Sequence, residues 1–325
     1  MNIPASQRLA FVFPGQGSQH AGMGKDLYEN FGAVRKIYEE ASEALGYDVA
    51  ELSFNGSEEE LNKTFRTQPC ILTASIAAYT VLTSPGLRVP VSLRPSVVAG
   101  HSLGEYSALV AAGMISFKEA VKLTEKRGRF MQEAVPEGKG LMAAILGLKR
   151  DEVDCICLSV QSGYAAPANY NCPGQIVIAG ERPAVEEAMR LAKEAGAKRA
   201  LPLAVSVPSH CSLMADASTR LAEALNDIEF SAPAIPLVNN ADAMFLSSIE
   251  SIKASLVRQL NSPLLWEDSI RNIAASGIDT FIEAGPGRVL SGLIKRIEPE
   301  AKVFNVEDLK SLEVLLSYYE GLNWV

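Results

Sequence analysis

Short apolar runs alternate with amphipathic stretches along most of the 325-residue chain, a pattern typical of an α/β protein. The first half of the chain predicts two strands and several helices: strands at Leu9–Phe13 and Ser96–Ala99, and helices up to about Ala44 and at Pro69–Leu82, Glu105–Ala112 and Phe117–Ala134. The helix at Pro69 is predicted to start there, because proline is favoured at the first helical position.

The middle of the chain predicts a different order of strands and helices. It predicts a strand, a helix, two strands, a helix and a strand: Leu141–Leu146, Arg150–Ser159, Tyr164–Tyr170, Gln175–Ala179, Pro183–Ala195 and Arg199–Ala204. This βαββαβ order is that of a ferredoxin-like unit. We therefore predict a small inserted domain at 138–206. A larger α/β domain with a parallel sheet is predicted from residues 1–137 and 207–325.

The last third predicts mainly helices. They lie at about Ser212–Leu225, Ile249–Leu260, Trp266–Ala275 and Asp308–Tyr319, with a fifth that ends near Arg296. One strand is predicted at Thr280–Glu283, followed by a glycine-rich turn.

The composition is that of an ordinary globular protein, with 48% apolar and 21% charged residues. It excludes a disordered chain, a collagen and a coiled coil. The formal net charge is −8, and without a basic balance we expect no nucleic-acid partner. No stretch approaches about 20 apolar residues, so no membrane span is expected.

The five cysteines are an odd number, with neither a C-x-x-C motif nor a Cys/His cluster. We expect reduced thiols, a cytoplasmic setting and no metal site. Cys211 is expected to be a small packing residue rather than a reactive thiol. The first apolar run, at 9–13, is too short for a signal peptide.

The strongest chemical signal is Gly100-His101-Ser102-Leu103-Gly104, which fits G-x-S-x-G between a strand and a helix. In a nucleophile elbow the glycines permit a tight turn that projects the serine hydroxyl outward. The helix N-terminus then supplies free N–H groups for an oxyanion. Ser102 is the candidate nucleophile, and the alternative is a serine that only caps the helix.

A serine nucleophile needs a base, and the chain has only three histidines, at 20, 101 and 210. On residue chemistry His210 is favoured, since side chains adjacent on a sharp turn diverge and His101 adjoins the serine. A hydrogen-bonded surface or capping histidine is the alternative for His210. An ordinary α/β-hydrolase is disfavoured because its histidine usually lies near the C-terminus, whereas here 115 residues follow His210.

Two further candidates are weaker on sequence alone. Gln16 lies in a glycine-rich loop after the first strand, where its amide either donates to an oxyanion or is simply solvated. This loop matches neither a dinucleotide fingerprint nor a Walker A motif. Arg127 has the side chain suited to a bidentate grip on a carboxylate, but a basic residue on a helix is usually only solvated.

Several spaced motifs over about residues 8–305 resemble the malonyl-CoA:acyl carrier protein transacylase family. The resemblance is to its stand-alone bacterial type, which serves fatty-acid synthesis. The motifs include FVFPGQGSQ at 11–19, GHSLGEYSALVAAG at 100–113, KRGRFMQEAVPEG at 126–138, NCPGQIVIAG at 171–180, VPSHC at 207–211 and RQLNSPLLW at 258–266. The resemblance implies a large α/β hydrolase-like domain with an inserted ferredoxin-like domain, which matches the predicted layout.

The resemblance also implies a role for each matching residue. Ser102 would be acylated with His210 as its base, in a dyad without an acid. The main-chain carbonyl of Gln259 would orient His210, and Gln16 with the Leu103 N–H would form the oxyanion hole. Arg127 would hold the malonyl carboxylate. Asn171 would border the substrate cleft, and a helix start suffices to explain Gln68.

The implied partners are malonyl-CoA, as substrate, and acyl carrier protein, which brings its own phosphopantetheine. No cofactor is expected, and we expect a monomer. An acidic carrier would need local positive charge, for which the candidates are Lys122, Lys126, Arg129, Arg288, Lys295 and Arg296. The alternatives are a discrete acyltransferase of a polyketide pathway, a serine thioesterase or other hydrolase, and a non-enzymatic binding module.

Overall fold

The computed structural model describes residues 8–84, 93–203, 205 and 207–321. Its ten strands are β1 Leu9–Phe13, β2 Val97–Gly100, β3 Gly140–Leu146, β4 Ala165–Cys172, β5 Gln175–Glu181, β6 Arg199–Pro202, β7 Leu237–Val238, β8 Phe245–Leu246, β9 Thr280–Ala284 and β10 Lys302–Val306.

Fourteen α-helices connect and cover these strands in the described ranges. They are α1 Lys25–Asn30, α2 Gly32–Leu45, α3 Val49–Asn55, α4 Glu58–Leu61, α5 Thr64–Thr83, α6 Gly104–Ala111, α7 Phe117–Ala134, α8 Arg150–Ser159, α9 Arg182–Glu194, α10 Ala215–Asn226, α11 Ile249–Asn261, α12 Trp266–Ala275, α13 Val289–Ile297 and α14 Leu309–Gly321. None of these helices is long and apolar enough to cross a membrane.

The larger sheet has the order β10-β9-β1-β2-β7-β8 and is parallel except for β8. Every residue of the central strand β1 is buried, as expected for a parallel sheet covered on both faces. Because successive side chains point to opposite faces, Phe11 and Phe13 pack in one hydrophobic cluster and Ala10 and Val12 in another. The α/β class with a parallel sheet is confirmed.

The smaller sheet has the order β4-β5-β3-β6, and all its pairs are antiparallel. Helices α8 and α9 pack on it over a cluster of its own that includes Ile145, Ile178 and Val185. The element order β3-α8-β4-β5-α9-β6 is the βαββαβ order that the sequence predicts. Ala204, placed at the end of the last strand, lies outside the described residues. The domain limits at 138 and 206 stay a prediction.

The predicted start of a helix at Pro69 is wrong. Helix α5 begins at Thr64, and Pro69 is inside it. The first turn of α5 packs on α7 where residue 128 is glycine, so closely that a Cβ there would lie 2.5 Å from the Phe65 Cα. This close packing outweighs the hydrogen bond that proline cannot donate.

Some short elements carry too weak a pattern to be predicted. Strand β10, which is parallel to β9 at the edge of the larger sheet, is not predicted, nor are the two-residue strands β7 and β8. Asn171 and Cys172 have the composition of a turn between two predicted strands, but both belong to β4. In β4 the register shifts between Tyr170 and Cys172, an irregularity that hides the alternation.

Strands β1, β2 and β7 are parallel, so their carboxyl ends lie at the same edge of the larger sheet. The loop after β1 carries Gln16, β2 runs into Ser102, and β7 is followed by Asn239 and Asn240. Such an edge is where open α/β sheets place ligands. The strand order therefore brings distant parts of the sequence to one site.

Candidate active site

Ser102 stands on a tight turn between β2 and α6. Its φ angle is 53°, in the left-handed region that residues with a side chain rarely adopt. The flanking glycines make this turn possible: a Cβ at Gly100 would lie 1.9 Å from the Gly104 carbonyl carbon, and one at Gly104 would lie 2.0 Å from the Phe13 oxygen. The G-x-S-x-G spacing therefore reflects backbone contacts on both sides of the serine.

His210 is the histidine that faces Ser102. The Ser102 Oγ lies 2.8 Å from His210 Nε2, and His210 Nδ1 lies 2.7 Å from the main-chain oxygen of Gln259. Because a carbonyl can only accept, the proton sits on Nδ1 and leaves Nε2 free to accept from the serine. Burial, together with the positive charge of Arg127, lowers the pKa of His210 to about 3. The ring is thus a neutral acceptor.

Neither of the other two histidines forms a hydrogen bond with the Ser102 Oγ among the described residues, although His101 lines the same cleft. His101 Nε2 is 2.9 Å from the Asn171 Oδ1, and the His101 ring packs edge-on against Trp266. His20 is exposed, and its Nδ1 lies 3.3 Å from the Ser18 main-chain oxygen. Asn171 thus borders the site by holding His101.

Arg127 is 1% exposed and lies behind Ser102 on α7. Its Nη2 donates to the Ser102 Oγ at 3.2 Å and to the Gln259 Oε1 at 3.0 Å, and its Nη1 donates to the Gln68 Oε1 at 2.9 Å. In the described parts of the chain, Arg127 forms no ion pair with a carboxylate, and its Nε has no partner. A buried guanidinium with no carboxylate in direct contact suits an anionic ligand.

The explanation of Gln68 as a helix start is therefore wrong. The residue is fully buried in the second turn of α5 and accepts a hydrogen bond from Arg127, and its amide nitrogen lies 3.3 Å from the Met131 sulfur. The sequence does not show what Gln68 touches, because its partners depend on the packing of α5 against α7.

Two polar residues of the site escaped the sequence analysis. The Asn240 Oδ1 accepts from the Ser102 N–H at 2.7 Å, and its Nδ2 donates to the Gly100 oxygen at 2.8 Å, so Asn240 fastens both sides of the turn. Buried Glu105 accepts from the Asn240 N–H and from the Gln259 Nε2. The apolar run 235–238 followed by two asparagines was the available signal, because it resembles a strand that ends at the ligand edge.

A cleft of about 160 Å³ opens in front of Ser102 and His210. The loops after β1 and β2 form one part of its walls, the smaller sheet adds Met142 and Val177, and α13 adds Leu290. Gln16 also lines the cleft. No hydrogen bond between described residues uses the backbone N–H of Gln16 or of Leu103, so both remain available to a ligand.

Of the remaining polar groups, none forms a metal site: the described residues contain no group of three or more His, Cys, Asp or Glu side chains that could hold an ion. The Cys211 thiol is buried and donates to the Pro208 oxygen at 3.2 Å, and burial raises its pKa to about 11. This contact and this pKa agree with a packing role.

Comparison with known proteins identifies relatives along nearly the whole chain. The acyl transferase domain family model matches residues 10–316. The malonyl CoA-acyl carrier protein transacylase of Escherichia coli K12 is 52% identical over 291 residues, which are 89% of this chain and 93% of that protein. The chain belongs to the malonyl CoA-acyl carrier protein transacylase family.

Solved structures of this transacylase family share the fold. An acyl carrier protein S-malonyltransferase from Vibrio cholerae is 50% identical, with a TM-score of 0.91 over 95% of this chain and 100% of that one. A malonyl-transacylase in complex with a type II PKS acyl-carrier protein is 51% identical, with a TM-score of 0.92 over 95% of this chain and 99% of that one. The family resemblance stated from the motifs is thus confirmed.

Proposed function

We propose that this transacylase family member moves a malonyl group from malonyl-CoA to the phosphopantetheine thiol of acyl carrier protein through a malonyl-Ser102 intermediate. One observation carries the substrate choice: a buried arginine without a carboxylate partner donates to the hydroxyl of the candidate nucleophile. The thioester end of malonyl-CoA suits Ser102, and its free carboxylate suits Arg127.

In the first half-reaction, the Ser102 Oγ attacks the thioester carbonyl while His210 Nε2 takes the hydroxyl proton. The tetrahedral oxyanion is held by the N–H groups of Gln16 and Leu103, and one positioned donor is worth about 2.7–4 kcal/mol. The carbon–sulfur bond then breaks, and His210 returns the proton to the sulfur of CoA.

In the second half-reaction, the carrier thiol loses its proton to His210 and its sulfur attacks the malonyl-Ser102 ester. The same oxyanion site serves again, Ser102 leaves and regains the proton, and a thioester replaces a thioester. The Gln259 carbonyl keeps His210 in one tautomer through both steps. His210 thus needs no carboxylate to form an effective dyad with Ser102.

Arg127 selects the acyl group in this scheme. The substrate carboxylate takes the place of the Ser102 Oγ as acceptor for Nη2, which both frees the hydroxyl and neutralises the guanidinium. An acyl group without a carboxylate leaves Arg127 buried and unpaired, which is unfavourable.

We further propose that the enzyme acts in the cytoplasm as a monomer, needs no cofactor, and supplies fatty-acid synthesis. A polyketide carrier protein is the second candidate acceptor, because the related malonyl-transacylase bound to a type II PKS acyl-carrier protein is as similar to this chain as the Vibrio cholerae S-malonyltransferase is. Transfer rates to the two kinds of carrier, measured side by side, decide between them.

The test is a steady-state transfer assay with malonyl-CoA and holo acyl carrier protein. We expect malonyl-carrier to form with parallel double-reciprocal plots, as in a ping-pong mechanism, and Ser102→Ala to abolish it. Rapid release of CoA at an equal rate with and without carrier would contradict the proposal and indicate a hydrolase.

A further inference from the structure

Glu105 is a buried carboxyl that has no role in the mechanism above. It lies three residues after Ser102 in the first turn of α6, with no exposed surface. Its Oε2 accepts from the Gln259 Nε2 at 2.8 Å and from the Asn240 N–H at 3.1 Å, whereas its Oε1 has no partner among the described residues. A buried carboxyl that is only half satisfied is costly, which points to a function.

The side-chain amide of Gln259 lies between Glu105 and Arg127. Its Nε2 donates to the Glu105 Oε2 and, at 3.0 Å, to the Ser102 main-chain oxygen, and its Oε1 accepts from the Arg127 Nη2 at 3.0 Å. Flipping this amide would point its NH₂ at a guanidinium and its oxygen at two acceptors. The Glu105 Oε2 and the Ser102 oxygen therefore hold the NH₂ of Gln259 on one side, and the amide oxygen then faces Arg127 on the other.

We propose that Glu105 is a positioning residue for acyl selection: through the Gln259 amide it fixes the Arg127 guanidinium where it meets the substrate carboxylate. This inference rests on the proposed function and extends it by one residue. No ion pair joins the Glu105 carboxyl to Arg127 in the described parts of the chain, so the contact runs through the amide. Glu105 is needed as an acceptor within hydrogen-bond distance of the Gln259 Nε2, and its negative charge is not required.

Two variants separate the position of the acceptor oxygen at residue 105 from its negative charge. Glu105→Asp keeps the charge but withdraws the acceptor by about one carbon–carbon bond, ~1.5 Å, beyond hydrogen-bond distance from Gln259. Glu105→Gln loses the charge but keeps an acceptor oxygen at the same reach, with its NH₂ where the unpartnered Oε1 lies. The measurement is the rate of Ser102 acylation at subsaturating malonyl-CoA and acetyl-CoA, by intact-protein mass spectrometry, with KM and kcat for each.

We expect Glu105→Asp to lower the malonyl-to-acetyl ratio about tenfold, mainly through a higher KM for malonyl-CoA. Glu105→Gln should stay within about twofold of the wild type. Equal losses for both acyl groups in Glu105→Asp, an unchanged ratio in Glu105→Asp, or a tenfold fall in Glu105→Gln would each overturn the inference. If Glu105→Asp does not fold, Glu105→Met, which removes the acceptor from the Gln259 Nε2 at similar volume, is measured in its place with the same expectation.

Glu187→Asp is the matched control, because the Glu187 carboxylate likewise accepts from two N–H groups, those of Gln161 and Ser162, but none of these residues lines the cleft. It should lower the melting temperature without changing the malonyl-to-acetyl ratio. A wild type that forms no malonyl adduct would overturn the proposed function and this inference together. An adduct on the wild type with an unchanged ratio in Glu105→Asp would overturn the inference alone.

Discussion

At the residue scale, Ser102 and His210 meet at the cost of backbone strain. Both have a left-handed φ, 53° and 62°, and Ala243 is the one other non-glycine residue in the described parts of the chain that does so. Such a conformation costs on the order of 1–3 kcal/mol for each residue and persists only where the surroundings hold it. Asn240 holds the serine turn, and the Gln259 and Leu260 carbonyls hold His210.

Replacing Arg127 by Ala should weaken malonyl transfer by ~2–5 kcal/mol in kcat/KM, because the substrate carboxylate would be buried without a partner. Acetyl transfer should be spared or improved. Arg129→Ala, two residues further along α7, removes an exposed arginine that pairs with Glu125 and should change neither rate. Equal losses for malonyl-CoA and acetyl-CoA in Arg127→Ala would refute the carboxylate role.

The low pKa of His210 links stability to pH. Its pKa in the folded protein, about 3, lies below the usual value of 6.5. Between these values the unfolded state binds the additional proton, so stability is lost as pH falls from 6.5 towards 3. At pH 5 this loss amounts to about 2 kcal/mol.

Urea denaturation of the wild type and of His210→Gln at pH 7.5 and pH 5 measures the effect. The free energy of unfolding of the wild type should fall by about 2 kcal/mol more than that of the variant. Glu105 and Glu283, whose pKa values burial raises to about 7, act in the opposite direction but are present in both proteins. The same pH dependence in both proteins would show that His210 titrates normally.

At the scale of elements, the contact of α5 with α7 positions the arginine. At Gly128, next to Arg127, a Cβ would lie 2.5 Å from the Phe65 Cα and 2.7 Å from the Thr64 oxygen, both backbone atoms that cannot move independently. Gly128→Ala should therefore separate the two helices, destabilise the protein by about 1–3 kcal/mol and weaken malonyl selection.

Gly292 in α13 is the matched control, since nothing lies within 4 Å of the Cβ that an alanine would add there. Gly292→Ala should stabilise the protein by about 0.5–1 kcal/mol, because alanine loses less conformational freedom in a helix. Thermal melts of Gly128→Ala and Gly292→Ala measure whether the two substitutions change stability in opposite directions. Similar destabilisation by both substitutions would show that helix contact at Gly128 is not the cause.

The sequence predicts the long elements well because burial leaves a periodic trace in them. Helix α7 spans Phe117–Ala134, as its pattern predicts, and β1 is the predicted Leu9–Phe13. The start of α5 and the short edge strands were missed because contacts from outside the segment fix them. The motifs predict that Ser102 and His210 meet, because both residues match the family's motifs. Asn240 and Glu105 are recognised as site residues only from the fold, because their contacts come from distant parts of the chain.

At the scale of the whole molecule, the cleft lies between the two sheets, and α13 closes one side of it. The Arg296 guanidinium of α13 donates to the Gln175 Oε1 at 2.6 Å and to the Pro173 oxygen at 2.9 Å, which links the helix to the smaller sheet. Arg296 also lines a groove with Lys198 and Arg199. Of the basic candidates, Lys122 and Arg129 instead pair with acidic neighbours on α7.

Reversing the charge at Lys295 and Arg296 should raise the KM for an acidic carrier protein at low salt, and added salt should diminish the difference. The control is the double reversal of Lys25 and Lys36 on α1 and α2, because no described residue of these helices lines the cleft. Kinetics at two ionic strengths provide the measurement. An unchanged KM and salt dependence would exclude α13 from carrier docking.

The central claim is that Ser102 carries the malonyl group between the two thiols. Intact-protein mass spectrometry after a brief mix with malonyl-CoA alone, on the wild type and on Ser102→Ala, tests it directly. We predict a malonyl-sized adduct that maps to Ser102, is absent from the variant and disappears when holo carrier protein is added. An adduct of the same size and rate on Ser102→Ala, or CoA release without any adduct, would contradict the account.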